Sequence, residues 1–213
     1  MICVSIAEPD VEKCVGALAG LELAEIRLDK IAINETKIKQ IFSQPLKLIA
    51  TCRPETGDEK KRKQILFSAI EAGAAFVDIE VEASDEYKKA IVAKAKPKGC
   101  QVIVSFHDYK KTPSKAELDQ IVEWCFQSGA DMAKIACEVH SERDSARLLG
   151  LLDQDKKIIV VGMGARGRIT RIIAPLLGSP FTFASLEKGK ETADGQLTKT
   201  ELEQAMQQLG VLK

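Results

Sequence analysis

A lysine stands inside an apolar run, Met132-Ala-Lys134-Ile-Ala-Cys137. If that run is a strand, the amine points into a core, and keeping it there charged and unpaired costs several kcal/mol. Two readings stay open: a desolvated amine that attacks a carbonyl and forms a Schiff base, or a structural ion pair or snorkelling side chain. His107 ends another run, Ser105-Phe-His107-Asp108, and is one of only two histidines. Imidazole titrates near neutrality and can shuttle protons, and Asp108 beside it is expected to fix its tautomer and raise its basicity. Alone, His107 would read as a structural loop histidine, and His140 reads as a surface or first-turn residue. Arg27 follows Glu25-Ile, Arg53 sits in Thr51-Cys-Arg53-Pro-Glu55, and Arg171 follows Thr170. Three guanidinium groups gathered at one place would suit an anionic, oxygen-rich ligand held by bidentate contacts. Taken singly each is weak, and Arg171 alone would read as a solvated helix face.

What could gather these residues is the order of elements. Short β-branched runs fall at residues 2–7, 24–28, 47–52, 75–79, 101–105, 132–137, 157–162 and 181–184. Most are continuous apolar runs, as strands of a parallel sheet covered on both faces should be. Segments of helical period separate them. Ser114-Lys-Ala-Glu117 is a capping box, followed by an apolar stripe of Leu118, Ile121, Val122, Cys125 and Phe126 and a stop at Gly129. A second stripe, Ile169, Ile172, Ile173, Leu176 and Leu177, is expected to face the core, and a last one runs through Leu202, Ala205, Met206 and Leu209. Eight strand–helix units in 213 residues, about 27 each, predict a single-domain α/β fold over residues 1–213: a (β/α)8 TIM barrel. A doubly wound open sheet is the rival. In a barrel the chemistry lies at the C-terminal strand ends, where the residues named above fall.

The 31 Lys plus Arg match 31 Asp plus Glu, so no global positive field recruits nucleic acid or an anionic membrane surface. The expectation is instead a locally cationic mouth, balanced by acids on the outer helices. No apolar run is long enough to span a bilayer and no basic leader precedes the first strand, so a cytoplasmic location is expected. Six scattered cysteines without a CxxC pair read as small buried hydrophobes, not as a disulfide frame or a metal site. Gly162, Gly164 and Gly167 formally satisfy a dinucleotide-binding spacing, with Glu187 further on. So late in the chain, with too little sequence left for a cofactor half, that match reads as accidental, and phosphate binding by this loop is its better rival use.

Together, Glu25-Ile-Arg27, Thr51-Cys-Arg53, Ser105-Phe-His-Asp108, Lys111-Thr-Pro113, Lys134-Ile-Ala136, Thr170-Arg171 and Ala193-Asp-Gly-Gln196 resemble the type I 3-dehydroquinate dehydratases, over nearly the whole chain and in order. The resemblance implies a homodimeric (β/α)8 barrel that converts 3-dehydroquinate to 3-dehydroshikimate in the shikimate pathway to aromatic amino acids, with neither metal nor cofactor. It implies that Lys134 condenses with the C3 ketone and that His107 helps form the imine, takes the C2 proton and returns one to the departing C1 hydroxyl. By the same resemblance Glu55 orients His107, Glu25, Arg27 and Arg53 meet ring hydroxyls and loop contacts, and Arg171 takes the C1 carboxylate. Thr192 and Gln196 belong to a lid at residues 187–196, and Ser5 is a further contact. The chain departs from the family pattern in three places. Thr192 replaces the usual serine, the segment from Arg53 to Glu55 is one residue short, and the first strand starts without a floor hairpin. The rival functions are a class I aldolase acting on a sugar phosphate, which would need a phosphate site after strands seven and eight, and a non-catalytic barrel that binds a small anion.

Overall fold

The computed structural model describes residues 1–54 and 58–210, so Glu55 lies outside the described residues. Among them, eight strands alternate with eight α-helices: β1 (Ile2–Ile6), α1 (Val11–Ala17), β2 (Leu23–Arg27), α2 (Glu35–Phe42), β3 (Lys47–Thr51), α3 (Glu59–Glu71), β4 (Phe76–Glu80), α4 (Asp85–Ala95), β5 (Gln101–Asp108), α5 (Lys115–Gln127), β6 (Met132–Glu138), α6 (Glu142–Leu149), β7 (Ile158–Met163), α7 (Gly164–Ile173), β8 (Thr182–Ser185) and α8 (Lys199–Gln208). The strands hydrogen-bond in the order β7-β6-β5-β4-β3-β2-β1-β8, every pairing parallel. β7 and β8, the two ends of that order, lie in contact without a ladder between them, so the sheet is a nearly closed (β/α)8 barrel.

Strand parity divides the core in two, because successive side chains point to opposite faces. The outward set, Val4, Ile26, Ala50, Ile79, Val104, Ile135 and Val160, packs against the helices in the main apolar cluster. The inward set is apolar in its lower part, where Cys3, Leu23, Ile49, Ile103 and Met132 pack with Phe76, Phe181 and Phe183, whose rings meet edge to face. These side chains fill the barrel floor, and no hairpin lies among the described residues. Higher on the same inward face, Ala136 on β6 and Val161 on β7 stay apolar, while β1 to β6 also present the polar Ser5, Glu25, Thr51, Asp78, Ser105, His107 and Lys134, which define the site.

The capping box of α5 forms as expected, and Leu118, Val122 and Cys125 are buried. The stripe on α7 faces the core only in part: Ile172 packs against Ala184, Leu202 and Met206, and Ile173 is half-buried. Ile169 is exposed, as are Leu176 and Leu177 in the following 3-10 turn, whereas Gly164, Gly167, Thr170 and Arg171 are buried. The reason is close approach: a Cβ on Gly167 would stand 2.4 Å from the Gly162 carbonyl carbon, and one on Gly162 2.8 Å from the Gly167 Cα. Thr170 Oγ1 accepts from the Gly162 amide and donates to the Gly167 carbonyl, fastening α7 to β7. The glycine spacing therefore serves helix–strand packing, and the Gly162 and Gly164 amides are both spent inside the protein. All six cysteines are buried and unbridged, and burial pushes the thiols of Cys14, Cys100, Cys125 and Cys137 up to about 12. No helix among the described residues is long and apolar enough to cross a membrane.

Candidate active site

The polar upper part of the barrel opens into a cavity of about 630 Å³. Its wall includes Ser5, Glu25, Arg27, Arg53, His107, Lys134, Arg171, Thr192 and Gln196, so every expected site residue that the structure describes is brought together. β5 and β6 place the two central groups: Ser105 pairs with Lys134 and His107 with Ala136, so His107 stands one inward step above Lys134 on the neighbouring strand.

Lys134 is 6 % exposed and its Nζ donates to Asp78 Oδ2 at 3.1 Å. Glu25 Oε1 is 3.9 Å away, and the Phe183 ring centre 4.2 Å. Of the two open readings of this lysine, the buried ion pair is therefore present, on a residue that also faces the cavity. Asp78 and Glu80 are the functional groups that sequence reading missed. Arg53 forks onto the two Asp78 oxygens at 3.0 and 3.1 Å and reaches Glu80 Oε1 at 2.7 Å, while Ser105 Oγ donates to Asp78 at 2.6 Å. Arg62, also missed, pairs with the other Glu80 oxygen and donates from Nε to the Cys52 carbonyl. Burial by itself would raise the Asp78 pKa, but the charges of Arg53 and Lys134 outweigh it and hold the carboxyl below its ordinary range. Burial likewise opposes the Arg53 charge, and Asp78 and Glu80 more than restore it. Glu25 accepts from Ser5 Oγ at 2.8 Å and Thr51 Oγ1 at 2.9 Å.

His107 is partly exposed to the cavity but closely surrounded, with Tyr109 stacked on its ring at 5.9 Å. Burial, then the charges of Arg53 and Lys134, push its pKa well below the ordinary histidine value. The imidazole is thus neutral at neutral pH, ready to take a proton. Asp108 does not orient it: being one residue on, it points out of the barrel, and its carboxylate accepts from the amides of Lys110 and Lys111 in the turn. His140 sits at the surface, its Nε2 2.7 Å from the Lys110 carbonyl.

The arginines do not make a uniformly cationic mouth. Arg27 is bound by Asp29 at 3.0 and 2.6 Å, and Arg53 by Asp78 and Glu80, so the neutralising acids lie in the turn after β2 and on β4, not on the outer helices. Arg171 is the exception. It is 1 % exposed and forms no salt bridge among the described residues; it donates only to the Phe183 and Asp194 carbonyls, at 3.2 and 3.4 Å, and its Nε has no partner there. Burial lowers its pKa to about 10, with Asp194 only partly compensating. A buried guanidinium with no salt bridge among the described residues is the group an anionic ligand would complete.

The loop after β8 lies over this cation. Thr192 donates from its amide and its hydroxyl to Gln196 Oε1, Gln196 Nε2 reaches Ser5 Oγ at 3.4 Å, and Lys190 bridges to Glu8 at 2.8 Å. Gly195, at φ +70°, packs on Gly164 so closely that a Cβ would fall 2.2 Å from its carbonyl oxygen. Among the described residues no cluster of His, Cys, Asp or Glu is placed to hold a metal ion.

A parallel barrel that gathers a lysine, a histidine and a guanidinium with no salt bridge among the described residues around one cavity defines a class of (β/α)8 proteins with a polar site at the C-terminal strand ends. Within it, the chain belongs to the type I 3-dehydroquinase family, whose profile matches residues 2–213. It is 37 % identical over 211 residues to the 3-dehydroquinate dehydratase of Methanocaldococcus jannaschii, covering 92 % of this chain and 93 % of that one. The chloroplastic bifunctional 3-dehydroquinate dehydratase/shikimate dehydrogenase of Arabidopsis thaliana is 34 % identical over 218 residues, covering 95 % of this chain and 36 % of that protein. The crystal structure of the type I 3-dehydroquinate dehydratase of Clostridium difficile, with covalently modified comenic acid, superposes with a TM-score of 0.86 at 26 % identity, over 98 % of this chain and 91 % of that one.

Proposed function

We propose that this chain is a hydro-lyase of the shikimate pathway that dehydrates 3-dehydroquinate to 3-dehydroshikimate through a Schiff base on Lys134. The observation that carries the reading is the single cavity shared by Lys134, His107 and an Arg171 with no ion pair among the described residues. The Lys134 amine attacks the C3 ketone, and the resulting iminium draws electrons from C2 and makes its hydrogens acidic. His107, held neutral, takes the C2 proton and returns one to the leaving C1 hydroxyl. Arg171 holds the C1 carboxylate, Glu25, Arg27 and Arg53 face the ring hydroxyls, and Ser5 on β1 and Thr192 and Gln196 in the loop after β8 close the site. An imine is hydrolysed by water, so a covering loop has a chemical purpose. Glu55 keeps the role the family resemblance gives it, as a group that orients His107.

The chain acts as one barrel unit in the cytoplasm, and as a homodimer, for which the exposed Ile169, Leu176 and Leu177 offer an apolar face. Sedimentation that gives the monomer mass would remove the dimer from this reading. The central test is borohydride added during incubation with 3-dehydroquinate. A mass increase confined to the peptide containing Lys134, with enone absorbance in the untrapped reaction, is expected. Neither signal appearing would overturn the assignment.

A further inference from the structure

The carboxylate against Lys134 is held more tightly than a counter-ion requires. Asp78 is fully buried, both its oxygens are fixed by the Arg53 fork, and Ser105 Oγ adds a third hydrogen bond. Behind it Arg53 is held by Glu80, and Glu80 by Arg62. One Asp78 oxygen is thereby held 3.1 Å from the Lys134 amine, and the Phe183 ring centre lies 4.2 Å from the same nitrogen. Glu25 is farther from the amine, at 3.9 Å, and is occupied by Ser5 and Thr51.

We propose that Asp78 is the positioning residue for Lys134, aiming the amine at the ligand carbonyl and facing the positive charge its nitrogen carries before and after the Schiff base forms. The proposal rests on Lys134 being the nucleophile, as argued above. In that step the ammonium gives up one proton, its lone pair forms the C–N bond, and the carbonyl π pair moves to oxygen. The oxygen takes two protons, the one released and one from nitrogen, and leaves as water; the nitrogen lone pair completes the C=N bond and nitrogen is cationic again. A carboxylate already fixed opposite that nitrogen needs no reorganisation as the charge returns. The other titratable or charged groups around the amine are Cys3 from β1, Glu25 from β2, Arg53 beyond β3 and His107 from β5. None of these is both as near and as rigidly held.

The test compares the full chain with its near-isosteric Asp78→Asn variant. Turnover and the pH dependence of borohydride trapping on the Lys134 peptide are measured with 3-dehydroquinate. We expect kcat to fall about 100-fold, the size of losing one preorganised electrostatic partner, with a much smaller change in KM. The pH midpoint of trapping should move down by about 1–3 units, because removing an opposite charge favours the neutral amine. A carboxylate with only a structural role would lower the melting temperature and leave that midpoint in place, which would overturn the proposal alone. If the unaltered chain forms no adduct, the assignment of Lys134 falls and this proposal with it. Should Asp78→Asn fail to fold, Ser105→Ala decides: it keeps every charge but removes one of the two hydrogen bonds that hold Asp78 Oδ1, loosening the carboxylate. A trapping rate lowered about tenfold at an unchanged midpoint is then expected, since small misplacements near reacting atoms are costly. An unchanged rate would overturn the proposal.

Discussion

The two walls of the cavity house buried cations in opposite ways. On the β2 to β6 side, Arg53 and Lys134 are interleaved with Asp78, Glu80 and Glu25, each charge within reach of its opposite. On the α7 side, Arg171 is as deeply buried but among the described residues donates only to two backbone carbonyls. Burial of a charge is therefore not what distinguishes a ligand-binding group here; the partner set is. A neutralised cluster is a rigid frame, whereas a lone guanidinium is an incomplete one, stabilised further when an anion arrives.

The contrast can be broken at several points. Lys134→Met should lower turnover by about 10⁴-fold or more, as loss of a covalent nucleophile does, yet still bind the carboxylate ligand through Arg171. Enone absorbance and calorimetric titration would separate the two effects, and loss of binding as well would show that the walls do not work independently. Arg53→Met should cost about 3–5 kcal/mol of stability, because it strands Asp78 and Glu80. Arg171→Met strands no carboxylate, so denaturant midpoints should stay level or rise while KM rises about 10–100-fold from one lost charge-assisted contact. Equal destabilisation by both changes would erase the distinction.

A smaller effect follows from protons. His107 is kept neutral in the folded state, so below about pH 6.5 the unfolded chain binds a proton that the folded chain refuses. Stability should then fall as the pH drops from 7 towards 5, by up to about 1.4 kcal/mol per pH unit, and His107→Gln should flatten that slope. Asp78 has its pKa lowered, so its contribution is complete above about pH 4 and lost only below it, outside the histidine window. Melting curves across pH would show whether the two groups separate in this way. The smallest change is expected from Lys190→Ala, which removes a partly exposed loop bridge to Glu8 and should alter KM by about threefold or less.

The strand count was readable because the outward faces are almost wholly Val, Ile, Ala and Leu, and the register of β5 against β6 then brings Lys134 and His107 together. Parity carried more than was read from it. Phe76, Asp78 and Glu80 alternate inward on β4, which marks two carboxylates for the barrel interior, but the run reads as apolar when only its Val77 and Ile79 are weighed. The same parity turns Asp108 away from His107. Arg62 was hidden in the basic run from Lys60 to Lys63, which resembles a solvated helix face, and Asp29 in the turn after β2. Which acid neutralises which arginine depends on strand-to-strand distances that no linear pattern contains. On α7, glycines at Gly164 and Gly167 were the sign that its close-packed face was not the Ile and Leu stripe.

The gap between β7 and β8 gives Arg171 another consequence. Its guanidinium donates to Phe183 on the strand beside that gap and to Asp194 in the loop above it. An anion gripped by the same side chain would brace the weakest join of the ring. Occupancy should then slow amide hydrogen exchange across residues 182–197 more than in the paired strands opposite, reporting binding in a chain that turns nothing over.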